Sequence, residues 1–146
     1  MSQISFENWK TSATYGGAIW VIAFFYATII MVILGVDFSD SENQFGPDHD
    51  KYWEFEAIVI PSFVIIGFLI FRRLYSKTGM NLDNWKAESL GIGLLVAIIQ
   101  FMLDLIFLAW IFGGGMEYFY ALVTLSYFLI PFWAYLFGWY LYGRAA

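Results

Sequence analysis

Three observations predict an all-α membrane protein, a bundle of four transmembrane helices. The first is composition: of 146 residues, 61% are hydrophobic, 23% aromatic and only 13% charged, with a mean hydropathy of +0.68. A soluble domain carries about 25% charged and 45–50% apolar residues, so a greasy soluble core does not account for this chain. The second is that the apolar residues gather into four long runs separated by polar links. The third is that the cations divide unequally between the two ends of those runs.

The elements follow in order. From Thr11 to Val36 no residue is charged, more than the roughly 20 residues that cross a hydrocarbon core, which predicts a first helix at about 13–35. It is too long for a signal-peptide core and lacks a strongly basic start before a small-residue cleavage site, so it is expected to be retained. An acidic, turn-rich loop follows at 37–56. The second run, Ala57 to Phe71, is short at 1.5 Å per residue. Trp53 and Phe55 extend it outward and Arg72 snorkels at its other end, giving a helix at about 55–72. The third helix is expected at about 89–112, "GGG" at 113–115 makes a turn, and the fourth helix runs at about 118–142.

Lys10, Arg72, Arg73, Lys77, Lys86 and Arg144 fall on one side of this topology, and only Lys51 on the other. Asp37, Asp40, Glu42, Asp48, Asp50, Glu54, Glu56 and Glu117 lie opposite the cations. The positive-inside rule then predicts both termini on the cytoplasmic side, in a membrane such as the prokaryotic cytoplasmic membrane, with the acidic loop outside.

The chain also echoes itself. "ENWKTSATYGG" at 7–17 returns as "DNWKAESLGIG" at 83–93, and "IPSFVIIGFLIFRR" at 60–73 as "IPFWAYLFGWYLYGR" at 130–144. The order NWK, Gly, Ile-Pro, Gly, Arg is kept in both halves. Within a single domain covering 1–146, this predicts two parallel two-helix repeats, about 7–74 and 83–144, related by an axis along the membrane normal.

Asp104 is the most informative single residue. An acid within the third helix costs about 2.5–3.5 kcal/mol on the insertion scale, and such residues face a bundle interior or water. Gln100 precedes it by one turn, and Ala97 and Gly93 continue the stripe, the pattern of a packed interior face. Depth matching predicts Thr124, Ser126 and Tyr127 as partners on the fourth helix and Tyr26 and Thr28 on the first. The group reads either as a proton or cation site or as a neutral carboxyl bonding between helices, the form that burial favours.

Other features are expected to be structural. Pro61 and Pro131 each free a carbonyl one turn earlier and shape their helices. His49 in "PDHD" brings too few converging ligands for a metal, so no metal site is expected. Cysteine is absent, and with one histidine the familiar triads lack material. Trp9, Trp53, Trp85, Trp110 and Trp139 read as interfacial belts.

These readings predict a non-enzymatic integral membrane protein with no cofactor and no nucleic-acid partner. Its surroundings are the lipid bilayer, copies of itself or other membrane subunits. The expected role is an accessory or scaffold subunit in which Asp104 pins helix packing or a partner. The alternative is a small oligomeric transporter or channel with Asp104 as the proton or cation site.

Overall fold

The computed structural model describes residues 6–37, 48–111 and 123–145, and among these the regular structure is entirely helical. Helix α1 spans Phe6–Ile33, α2 Tyr52–Lys77, α3 Trp85–Asp104 and α4 Val123–Leu141. A π-helical segment, Leu105–Ile111, continues α3, and a 3-10 turn, Gly143–Ala145, follows α4. Three helices, counting α3 with its π continuation, are long and apolar enough to cross a membrane; the fourth is shorter.

The helices run beyond the apolar stretches that announced them. Helix α1 starts at Phe6 and takes the NWK motif inside itself, and α2 continues through Arg72 and Arg73 to Lys77. Polar residues do not stop a helix; a glycine in the left-handed conformation does. Gly35 has φ +74° and Gly79 φ +70°. After each, an amide reaches five residues back: Val36 N–H to Met31 O at 3.0 Å, and Met80 N–H to Tyr75 O at 3.3 Å. Both ends are therefore Schellman closures, which capture carbonyls the helix would leave unpaired. The tight link to α3 is held by Asn81, whose Oδ1 accepts the Asp83 and Asn84 amides at 2.9 and 3.2 Å.

Helix α3 is the hub. It packs most extensively on α4 and next on α1, while α2 touches α1 and, more lightly, α4. Small residues allow the α3–α4 approach. A Cβ on Gly93 would stand 2.7 Å from Ala134 Cβ and 2.8 Å from Pro131 Cα, and one on Gly138 would stand 2.7 Å from Ser89 Cβ. The best-buried core lies at the end where α2 and α4 finish and α3 begins, around Phe71, Leu74, Tyr75, Trp85, Ile92 and Phe137. There the fully buried Tyr75 hydroxyl donates to Ala134 O at 2.6 Å.

Around this core the surface is apolar. Phe25, Ile33, Ile65, Ile98, Trp110 and Phe128 are all exposed, Trp110 at 83%. In water a contiguous surface of this kind is an association liability; in a bilayer it is the lipid face. Trp9, Trp53, Trp110 and Trp139 share this exposure. Trp85, expected in the belt, is instead core at 5% exposed, packed beside Tyr135 with its ring closing over Gly143.

The two hairpins, α1–α2 and α3–α4, lie side by side, with α1 on α3 and α2 on α4. A two-fold along the membrane normal would set each of those pairs across the bundle from one another. The observed order fits a sideways displacement of one hairpin past the other better. Matched residues also meet unlike surroundings. Asn8 donates to Thr78 O at 3.2 Å, whereas Asn84 Oδ1 accepts from the Asn81 amide at 2.8 Å. Gly93 is wedged on α4, while its counterpart Gly17 has open space at its Cβ position.

Candidate intramembrane polar site

Asp104 ends α3 and is buried at 9% exposed. Its carboxyl is held from two other helices. The Trp20 indole of α1 donates to Oδ1 at 2.6 Å, and the Tyr127 hydroxyl of α4 bonds to Oδ2. Because an indole N–H can only donate, Oδ1 is an acceptor here. A phenol can donate or accept, so the Tyr127 side suits a carboxylate or a neutral acid equally.

Aromatic rings close the site. Trp20 stacks on Phe24 at 5.3 Å and meets Phe107 at 5.0 Å, and Phe101 stands edge-on to Tyr127 at 5.6 Å. One turn before Asp104, the buried Gln100 donates through Nε2 to Gly16 O on α1 at 2.7 Å. That bond needs a close approach, and Gly16 permits it: a Cβ there would already press Ile99 Cδ1 at 3.1 Å. The stripe of Gly93, Ala97, Gln100 and Asp104 is buried throughout.

Pro131 contributes to the same site. Its ring cannot supply an amide to the carbonyl four residues earlier, and that carbonyl belongs to Tyr127. The proline thus shapes the turn that presents the phenol, while its Cα backs onto Gly93. Pro61 is exposed on α2 and lies in no such contact with Asp104.

The remaining expected members are placed elsewhere. Tyr26 donates to Ser62 Oγ at 2.7 Å, which itself donates to Ile58 O at 2.7 Å. Thr28 bonds back to Phe24 O at 2.8 Å. Ser126 is exposed, and the Thr124 side chain and the glycine turn lie outside the described residues. Depth matching by residue count therefore missed along α1: the level of Asp104 is that of Trp20, not of Tyr26 or Thr28. The count assumed unshifted helices, whereas Trp20–Asp104 and Gly16–Gln100 both pair at a separation of 84, eight more than the 76 between the echoed motifs, so α1 is displaced along α3.

Two features carried weaker sequence signals. Trp20 stands in the middle of an uncharged run, away from the boundaries where tryptophans anchor, and a mid-span indole needs an acceptor. Glu88, in the first turn of α3, is buried at 4% exposed with Oε2 unpartnered among the described residues. The positive end of the helix dipole favours an acid there. His49 closes its own turn, Nδ1 accepting the Lys51 amide at 3.1 Å beside Asp50 Oδ1 at 3.1 Å. Among the described residues no three acidic or histidine side chains converge to hold a metal.

Fold and site together define a class: an α-helical bundle with three helices long and apolar enough to cross a membrane, whose α1, α3 and α4 are joined through one buried acid. No family model matches the chain, and no curated protein or solved structure matches it.

Proposed function

We propose that the protein is a non-enzymatic integral membrane subunit, an accessory or scaffold in which Asp104 fastens α3 to α1 and α4. The observation that carries this reading is the engagement of both carboxyl oxygens by hydrogen bonds to two different helices, inside a ring of aromatic side chains. A carboxyl so engaged, and buried at 9% exposed, serves packing. The outward apolar faces, such as Val21, Phe25, Ile29 and Val32 on α1, are available to lipid, to a second copy or to other membrane subunits.

Purification of the full chain in a mild detergent, with native mass analysis, tests this. The expected result is a stoichiometric assembly with itself or with other membrane polypeptides. A monomer accompanied by no polypeptide, under detergents that preserve such assemblies, would end the scaffold reading.

A second reading is supported by one observation. The π-helical segment begins at the residue after Asp104, and π segments recur at functional sites. On this reading the protein is a small oligomeric transporter or channel, with Asp104 and Gln100 on the path of a proton or cation. Reconstituted Asp104→Asn should then fold yet lose proton-linked flux that the wild type shows; equal flux in both would exclude it.

The cation distribution supports a cytoplasmic placement of both termini. The ordered sequence echo supports a tandem duplication of one hairpin, with units at about 7–74 and 83–144. An experimental structure in which the halves fit best with one inverted would end the duplication reading.

A further inference from the structure

We propose that the seam between α2 and α4 binds an anionic phospholipid, with its phosphate on Arg72 and Arg73 and an acyl chain along Phe68 and Phe137. Two cavities make this site. One, of about 550 Å³, is lined by Leu69, Arg72, Arg73 and Ser76 of α2 with Leu141 and Tyr142 at the end of α4. The other, of about 320 Å³, is lined by apolar and aromatic side chains, among them Phe68, Trp133, Leu136 and Phe137. Phe68 and Arg72 stand one turn apart on α2, and Phe137 and Leu141 one turn apart on α4. The cavities therefore lie at successive levels of the α2–α4 pair, the polar one towards the basic end.

The chemistry is that of a lipid with a charged head. Arg72 and Arg73 are exposed, and neither guanidinium has an ion-pair partner among the described residues. A guanidinium presents a planar fork of donors matched to phosphate oxygens, and Tyr142 lines the same cavity; the Ser76 hydroxyl there already donates to Arg73 O at 2.8 Å. Arg144 lies over the Tyr140 ring at 4.5 Å, and Tyr140 lines the apolar cavity, so a third cation flanks the junction of head and tail. The site stands at the C-terminal ends of two helices, whose partial negative charge disfavours an anion; recognition must come from the arginines. Basic pockets between helix ends recognise anionic headgroups in this way. The seam is open because α2 and α4 are the most lightly packed of the neighbouring helices.

The test is native mass spectrometry of the full chain in detergent, titrated with phosphatidylglycerol or with phosphatidylcholine of the same acyl chains. Phosphatidylglycerol should be retained at lower concentration. Each basic residue near an anionic lipid is worth roughly fivefold, so Arg72→Gln/Arg73→Gln should weaken its retention by about 25-fold. Both side chains are exposed, so the thermal midpoint should hold, and Arg72→Lys/Arg73→Lys, which keeps the charge but loses the fork, should recover only part of the binding. Lys77→Gln/Lys86→Gln removes the same charge outside the seam and should change retention little. Inorganic phosphate or glycerol phosphate at matched concentration should not displace the lipid. Equal retention of the two lipids, equal loss in the lysine control, or displacement by inorganic phosphate would each overturn the proposal.

Discussion

Asp104 bonds to two helices at once, and its two bonds can be tested apart. Asp104→Asn keeps the clasp, because an amide oxygen accepts from Trp20 and an amide N–H donates to the Tyr127 hydroxyl. Stability in detergent should change little. Asp104→Leu strands both donors; with interhelical bonds worth about 0.6 and at most ~1.7 kcal/mol each, the loss should be about 1–3 kcal/mol. Trp20→Phe removes only the Oδ1 donor, and its effect should fall away in an Asp104→Leu background. Additive losses in that double-mutant cycle would mean that the indole and the carboxyl are not coupled. Asp104 and Gln100 were legible in the sequence because polar groups in an apolar run demand partners. Trp20 was not, since in a chain with 23% aromatic residues one more tryptophan resembles packing. Glu88 escaped notice because it borders a polar link, where acids are ordinarily solvated.

At the scale of the helices, the α3–α4 pair depends on missing side chains. Gly93→Ala would put a methyl 2.7 Å from Ala134 Cβ and 2.8 Å from Pro131 Cα. Neither neighbour is a flexible tip that could swing aside, so the helices must separate. Overpacking of this kind costs about 1–3 kcal/mol. Gly17→Ala occupies the echoed position, where a Cβ meets nothing within 4 Å, and it should be neutral or slightly stabilising. Thermal midpoints of the two variants in one detergent check this; equal midpoints would refute the wedge. The four helices were readable from apolar run length, and the small-residue stripe from its spacing of four. The end of α1 near Gly35 was legible too, but its start at Phe6 and the end of α2 at Lys77 were not, because the polar residues flanking the apolar runs do not stop a helix and Gly79 does. The π segment was also hidden. "LIFLAWI" contains no Pro or Gly to mark it, yet burial steps from Asp104 to Ala109, five residues and not four.

For the molecule as a whole, α4 is expected to cross the bilayer beside the three helices that are long and apolar enough to do so. Its 19 described residues extend about 28 Å at 1.5 Å per residue, close to the ~30 Å of a hydrocarbon core. It is also tied along α3 from Gly138 beside Ser89 to Tyr127 beside Asp104, and an antiparallel partner of a spanning helix at such contact must share its depth. The expected topology therefore has an even number of crossings, with the basic ends of α2 and α4 on the cytoplasmic side. Single cysteines at Ser41, Ser76 and Ala146, probed on intact cells with an impermeant thiol reagent, provide the check. Ser76 is exposed near the Arg72–Arg73 end of α2, and Ser41 belongs to the acidic loop, outside the described residues. The wild-type chain has no cysteine, so each label reports one position. Ser41→Cys should react from outside, while Ser76→Cys and Ala146→Cys should react only after permeabilisation. The opposite labelling would invert the molecule and remove the cytoplasmic placement of its termini. Outside labelling of Ala146→Cys alone would mean that α4 does not cross, and the clasp between Tyr127 and Asp104 would then need a different account.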